Sequence, residues 1–167
     1  MPVTVKIAPL DFNKFLPVPA DVMRDVGDLS IRFIRTRTER GIDKDGNAFV
    51  AYTPKYAELK AKELGSASPV NLTVSGRMLN DMDVSEAAPN RVSIGFRSSG
   101  GGASGGTFIQ RSRSVGAEDK ARYHDRDGAG KSRTKRPFLG LTDQETEQVR
   151  TRVERYLSER VSRLGQE

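Results

Sequence analysis

Apolar residues recur at helical spacing in two long stretches of this chain. Between residues 21 and 40 they return every three or four positions, which predicts an amphipathic helix that ends at Gly41. Its predicted buried stripe consists of Val22, Val26, Leu29, Phe33 and Ile34. A second stripe near the C-terminus predicts another long helix through Val149, Val153, Tyr156, Leu157, Val161 and Leu164. Thr142 and Glu145 precede that stripe at the spacing of a capping box, which predicts where this helix begins.

Shorter patterns fill the chain between these helices. Thr53 followed by Pro54 indicates a helix start, and this short helix carries Tyr56, Leu59, Lys60 and Leu64 before it ends at Gly65. A further helical turn is predicted over residues 76–81. Alternating apolar residues predict strands at residues 3–7, 82–86 and 91–96, of which the last two form a hairpin. The predicted fold class is α+β, with a small, mainly antiparallel sheet packed against a long N-terminal helix and a C-terminal helix.

Composition limits the size and the setting of the protein. With 167 residues, 35% of them hydrophobic, the chain predicts one domain over residues 1–167. Glycine and serine dominate residues 98–106, and basic residues dominate the stretch after them, so we expect a flexible insertion at about 97–136. No apolar run is long enough for a membrane span and the first residues lack a signal-peptide layout, so we expect no membrane contact.

The net charge of +6 is concentrated in one part of the chain. Residues 111–136 contain nine basic residues against four acids. We predict that these nine face a partner or DNA: Arg111, Arg113, Lys120, Arg122, Arg126, Lys131, Arg133, Lys135 and Arg136.

Residue types that carry catalysis or bind metals are scarce. The chain has no cysteine and a single histidine, His124, so thiolate chemistry and a histidine metal motif are excluded. Residues 130–132 resemble the end of a phosphate-binding loop, but position 125 is Asp125 where that motif needs glycine. The acids show no spacing typical of general acid–base catalysis. We therefore expect neither an enzyme nor a cofactor.

The order of several landmarks resembles the phage virion morphogenesis family, the tail-completion or S-type proteins of tailed phages. A glycine turn at residues 45–46 is followed by Phe49 and Tyr52 and by the helix start at residues 53–54. After these come residues 74–79, the hairpin, residues 121–124 with Gly128, and residues 136–141 before the last helix. The resemblance covers residues 31–157.

This resemblance implies a structural virion protein at the head–tail junction. It implies a homo-oligomeric ring, expected to be a hexamer, that completes the tail or neck and joins it to the head, assembled first in the host cytoplasm. The implied partners are other copies of the chain and neighbouring neck, tail-tube or tail-terminator proteins, with DNA in the channel as a further contact. The alternative is a free-standing DNA-binding protein that uses residues 111–136.

Six residues are predicted to anchor the fold. Phe138, Leu139 and Leu141 would hold the last helix, and the other three are Phe33, Phe49 and Tyr52. If these residues do anchor the last helix to the sheet, they also fix the position at which the basic segment before residue 137 leaves the core.

Overall fold

The structure is a computed structural model that describes residues 17–73, 76–97 and 116–164. In chain order the elements are α1 (Ala20–Glu39), α2 (Pro54–Leu64), α3 (Arg77–Asn80), β1 (Met82–Ala88), β2 (Arg91–Phe96), α4 (Ala117–Arg122) and α5 (Asp143–Leu164). The α+β prediction is confirmed. The strand predicted at residues 3–7 and the cations Arg111 and Arg113 lie outside the described residues. None of the helices within the described ranges is long and apolar enough to cross a membrane.

Helix α1 buries a broader face than the sequence pattern predicts. Val26 and Ile34 are buried as expected, whereas Val22, Leu29 and Phe33 pack only at the edge of the core. The centre of the buried face is rotated toward Met23, Gly27, Ser30, Ile31, Arg37 and Thr38. One of these residues, Gly27, lies where the hairpin packs directly on the helix.

Gly27 is required at that contact. A Cβ atom at position 27 would lie 2.6 Å from Val84 Cγ2 and 2.8 Å from Val92 Cγ2, closer than real side chains pack. The absence of a side chain therefore brings α1 onto the hairpin.

Strands β1 and β2 form the predicted antiparallel hairpin, the only sheet among the described residues. Val84 pairs with Ile94, and an irregularity in register follows between Val84 and Glu86. At the turn, Asn90 adopts a left-handed conformation with φ of 60°. Its side-chain oxygen accepts from Val18 N at 2.8 Å, and its own N–H donates to Val18 O at 3.1 Å. The chain entering α1 is thereby fixed to the hairpin turn.

The capping box at the start of α5 is confirmed. Thr142 N donates to Glu145 Oε2 at 2.8 Å, and Glu145 N donates to Thr142 Oγ1 at 3.2 Å. Val149 and Val153 are fully buried, and α5 packs mainly along α1. The core therefore centres on α1, with the hairpin and α5 as its two main neighbours.

Residues 116–136, the part of the predicted insertion that the structure describes, contain regular structure. They form α4, a π-helical turn over Tyr123–Asp127 and a bridge between Ala129 and Thr134. Ala117 and Ala121 are buried, and α4 packs against α3 and β2. The buried face of this helix consists of two alanines one helical turn apart. Because the other residues of the helix are mostly charged, the composition of the segment did not indicate a buried face.

Candidate partner-binding surface

Residues 136–141, named here the anchor block, form hydrogen bonds through their main-chain groups with two other parts of the chain, residue 44 and residues 124–125. Arg136 N donates to His124 O at 2.6 Å, and Lys44 N donates to Pro137 O at 3.0 Å. Phe138 N and Leu139 N both donate to Asp125 Oδ1 at 3.0 Å. Since buried main-chain groups need partners, these contacts fix the path of the block.

Arg37 completes the anchor block from the side of α1. Its Nη2 donates to Phe138 O at 2.8 Å and to Gly140 O at 2.9 Å, and its Nη1 pairs with Glu145. Glu145 thus caps α5 and neutralises a cation that is only 7% exposed. Burial lowers the pKa of Arg37, and the carboxylate of Glu145 opposes that shift. The sequence pattern did not single out Arg37.

The predicted structural anchors take three kinds of place. Phe49, Phe138 and Leu139 are buried in the core, and Phe138 is fully inaccessible. Phe33 and Leu141 are partly buried and pack against the core. Tyr52 lies outside the core cluster: its ring contacts Tyr56 edge-on at 4.9 Å between centroids.

The predicted partner-facing cations divide into three groups. Lys120, Lys131, Arg133 and Lys135 are exposed. Arg122 pairs with Asp119 at 3.6 Å and with Asp127 at 3.1 Å, and Arg126 lies 3.8 Å from Asp125. The third group is Arg136 alone, whose side chain is buried.

Arg136, predicted to face a partner or DNA, does not project from the surface. This side chain is 5% exposed, and it points inward because its guanidinium donates hydrogen bonds to two main-chain carbonyls. Arg136 Nε donates to Val50 O at 2.8 Å and Nη2 donates to Ala51 O at 2.9 Å. Its guanidinium carbon also lies 5.1 Å from the centroid of the Tyr52 ring.

Residues 128–135, named here the basic loop, display three of the exposed cations. Ala129 N donates to Thr134 O at 3.0 Å and closes the loop. Gly128 has φ of 85°, and a Cβ atom there would lie 2.1 Å from Arg133 O. Arg133 has φ of 48°, a conformation that costs a residue with a side chain about 1 kcal/mol. The tight turn holds Lys131, Arg133 and Lys135 outward.

A cavity of about 490 Å³, named here the recess, separates the basic loop from α2. One wall consists of the apolar and aromatic side chains of Tyr52, Tyr56, Leu59 and Leu72. The loop forms the other wall, with Lys131 at its edge and Arg136 in its lining. A neighbouring cleft of about 510 Å³ contains Lys120, Tyr123 and Arg133. Ala129 and Gly130 line both spaces, so the basic loop is the partition between them.

His124 also lies between the recess and the cleft. Burial, with a smaller contribution from the charge of Arg136, lowers the pKa of His124 to about 4. The imidazole is therefore neutral near pH 7. Within the described part of the chain no cluster of three or more histidine and acidic side chains could hold a metal ion.

Comparison of the chain with protein-family models, curated proteins and solved structures gives no significant match.

Proposed function

We propose that this chain is a structural virion protein of a tailed phage that forms a ring at the neck or tail terminus. The ring completes the tail and joins it to the head. In this proposal the basic loop and the neighbouring cleft contact the next subunit or an adjoining tail-tube or tail-terminator protein. The proposal rests on the ordered landmarks that resemble the virion morphogenesis family.

One observation carries the proposal furthest. The anchor block, which is part of that resemblance, accepts hydrogen bonds from residues 37 and 44, donates to residues 124 and 125, and so holds both ends of the exposed basic loop. A rigidly held charged loop is suited to a defined protein contact, because little conformational entropy is lost when it binds.

The proposal is tested by imaging the purified full chain, alone and mixed with the tail-tube protein of the same phage. Negative-stain images and mass photometry are expected to give a closed ring with one fixed number of subunits, six in our expectation. Monomers alone, with and without the tail-tube protein, would contradict it.

A charge-reversal variant tests the role of the basic loop. Lys120→Glu, Arg133→Glu and Lys135→Glu together should leave thermal unfolding nearly unchanged, because all three side chains are exposed. The variant should fail to assemble. The matched control reverses the exposed Arg24, Arg32 and Lys62 and should assemble as the wild type does.

The exposed lysines and arginine also support a second candidate, a free-standing DNA-binding protein. In that case the chain stays monomeric and retains duplex DNA near about 200 mM salt. The slope of log affinity against log salt should then fall by about 1 for each phosphate-contacting lysine that is removed. A ring without DNA retention excludes this candidate.

A further inference from the structure

Two buried cations beside the recess have no carboxylate partner among the described residues. Among the described residues Arg136 donates to two main-chain carbonyls, and no acidic side chain of those residues forms an ion pair with its guanidinium. Lys60 is 3% exposed, and its Nζ donates to Asn71 Oδ1 at 2.9 Å and to Tyr52 Oη at 3.3 Å. Buried charges in proteins are normally paired, because an unpaired charge loses its hydration without compensation.

The two cations converge on one aromatic ring. Lys60 Nζ lies 4.8 Å and the Arg136 guanidinium carbon 5.1 Å from the centroid of Tyr52. The π face of a tyrosine attracts cations weakly, but it does not neutralise them. Burial is the main cause that lowers the pKa of each cation. Glu63 on α2 contributes to the electrostatics at Tyr56, yet it does not line the recess and pairs with neither cation.

The lining of the recess has the features of a binding site for an anionic group with an apolar body. Among the described residues that line it there is no aspartate or glutamate, while Lys55 and Lys131 add positive charge at its edges. The wall of Tyr52, Tyr56, Leu59 and Leu72 is apolar and large enough for one aromatic or leucine side chain. Leu72 has a left-handed φ of 53°, a strained conformation of a kind that clusters at ligand clamps.

We propose that the recess receives an acidic segment of a partner protein, whose carboxylate pairs with Arg136 while a neighbouring aromatic or leucine side chain packs on Tyr56 and Leu59. The inference rests on the proposed function in one respect, that the chain works by contacting other proteins. A protein is favoured over a nucleic acid because the lining of the recess is mainly apolar, whereas the basic loop offers phosphates exposed cations.

The first test uses a library of short acetylated peptides in which one phenylalanine or leucine is flanked by aspartate or glutamate. Fluorescence anisotropy with the full chain should detect binding that weakens when the apolar residue becomes alanine or the acids become amides. NMR spectra should report the contact at the methyl groups of Leu59 and Leu72, which line the recess. Binding without changes at these methyl groups, or no binding, overturns the proposal.

The second test changes the edge of the recess and leaves the core intact. Lys55→Glu with Lys131→Glu should weaken peptide binding by about tenfold. The matched control, Arg24→Glu with Lys62→Glu, changes the net charge equally at exposed positions that do not line the recess and should bind as the wild type does. If peptide affinity falls equally in both variants, the peptide responds only to the net charge of the protein and not to the recess, which would overturn the proposal.

Arg136→Gln tests the paired cation directly, with circular dichroism to verify folding. The folded variant should lose peptide binding, and if the substitution unfolds the chain, the lysine variants and the methyl signals decide. An oligonucleotide that displaces the peptide from Leu59 and Leu72 would assign the recess to nucleic acid and overturn the proposal. Peptide binding without ring formation keeps this inference and rejects the ring, whereas a ring without peptide binding does the reverse.

Discussion

Arg37 and Arg136 are both buried arginines, yet their surroundings differ in one respect. Each is less than one-tenth exposed, each donates to two main-chain carbonyls, and burial lowers the pKa of each. Arg37 also has the carboxylate of Glu145, while Arg136 has no carboxylate partner among the described residues. The positive charge between α1 and α5 is therefore neutralised by a carboxylate, and the positive charge beside the recess is not neutralised by any described residue.

This difference separates a region that serves the fold from one suited to a partner. The carboxylate of Glu145 is supplied by the chain itself, so the fold neutralises Arg37, and removing either partner would leave the other as an unpaired buried charge. Arg136 lines a cavity open to solvent and carries a charge that an incoming carboxylate would neutralise. Substitutions in the two regions should therefore have different effects on unfolding and on binding.

The largest effect is expected at Phe138, the fully buried ring of the anchor block. Phe138→Ala should lower the free energy of unfolding by about 3–5 kcal/mol, since it removes a large core side chain and leaves a cavity. Chemical denaturation measures this change. Phe33→Ala removes the same ring from a partly buried site and should cost less; equal costs would show that Phe138 is not the main anchor.

The next effect is expected at Arg37. Arg37→Met should cost about 3 kcal/mol, because Glu145 and the carbonyls of Phe138 and Gly140 lose their shared donor. The loss should shrink when Glu145→Gln is added, since no unpaired charge then remains. A double-mutant cycle on thermal unfolding measures this coupling, and additive effects would disprove the pair.

Local signals in the sequence predicted the elements well. The period of apolar residues and Gly41 gave α1 to within a residue at either end, and Thr53-Pro54 with Gly65 gave α2. Thr142 and Glu145 predicted the capping box because both partners lie within four residues. Such contacts depend only on neighbouring residues, so a pattern can reveal them.

The buried cations could not be predicted in this way. Arg37 and Glu145 lie 108 residues apart, and Arg136 meets Val50 from 86 residues away. On α2, Lys60 is buried, and Tyr52 and Asn71 accept hydrogen bonds from its ammonium group, whereas Leu64 is exposed. A local pattern does not show which distant groups will accept hydrogen bonds from a charged side chain, so only the folded arrangement identifies the charges that the interior accepts.

A smaller effect is expected from pH, through His124. Its folded pKa of about 4 is below the ordinary value of 6.5, so protonation favours the unfolded chain. The contribution is fully present above pH 6.5 and is lost as pH falls toward 4. Between about pH 7 and pH 5 it amounts to about 2 kcal/mol.

His124→Gln should remove that part of the pH dependence. Because His124 is the only histidine, the difference in slope between the wild type and the variant isolates its titration from that of the acids. Urea unfolding at a series of pH values measures both slopes. Parallel slopes would show that the imidazole titrates normally and that the wall between the recess and the cleft is more hydrated than its burial indicates.

The smallest effect on stability, and the sharpest test of the comparison, is expected at Arg136. Arg136→Met removes two hydrogen bonds, but Val50 and Ala51 are exposed and water can replace the lost donors at their carbonyls. No carboxylate among the described residues is left unpaired, so the cost should be about 1 kcal/mol. Arg37→Met, which makes the same change in side chain and charge, is the matched control and should cost about 2 kcal/mol more. Equal costs measured by urea unfolding would mean that Arg136 supports the fold as Arg37 does. A small cost accompanied by lost binding of acidic peptides would instead place the charge of Arg136 in partner recognition.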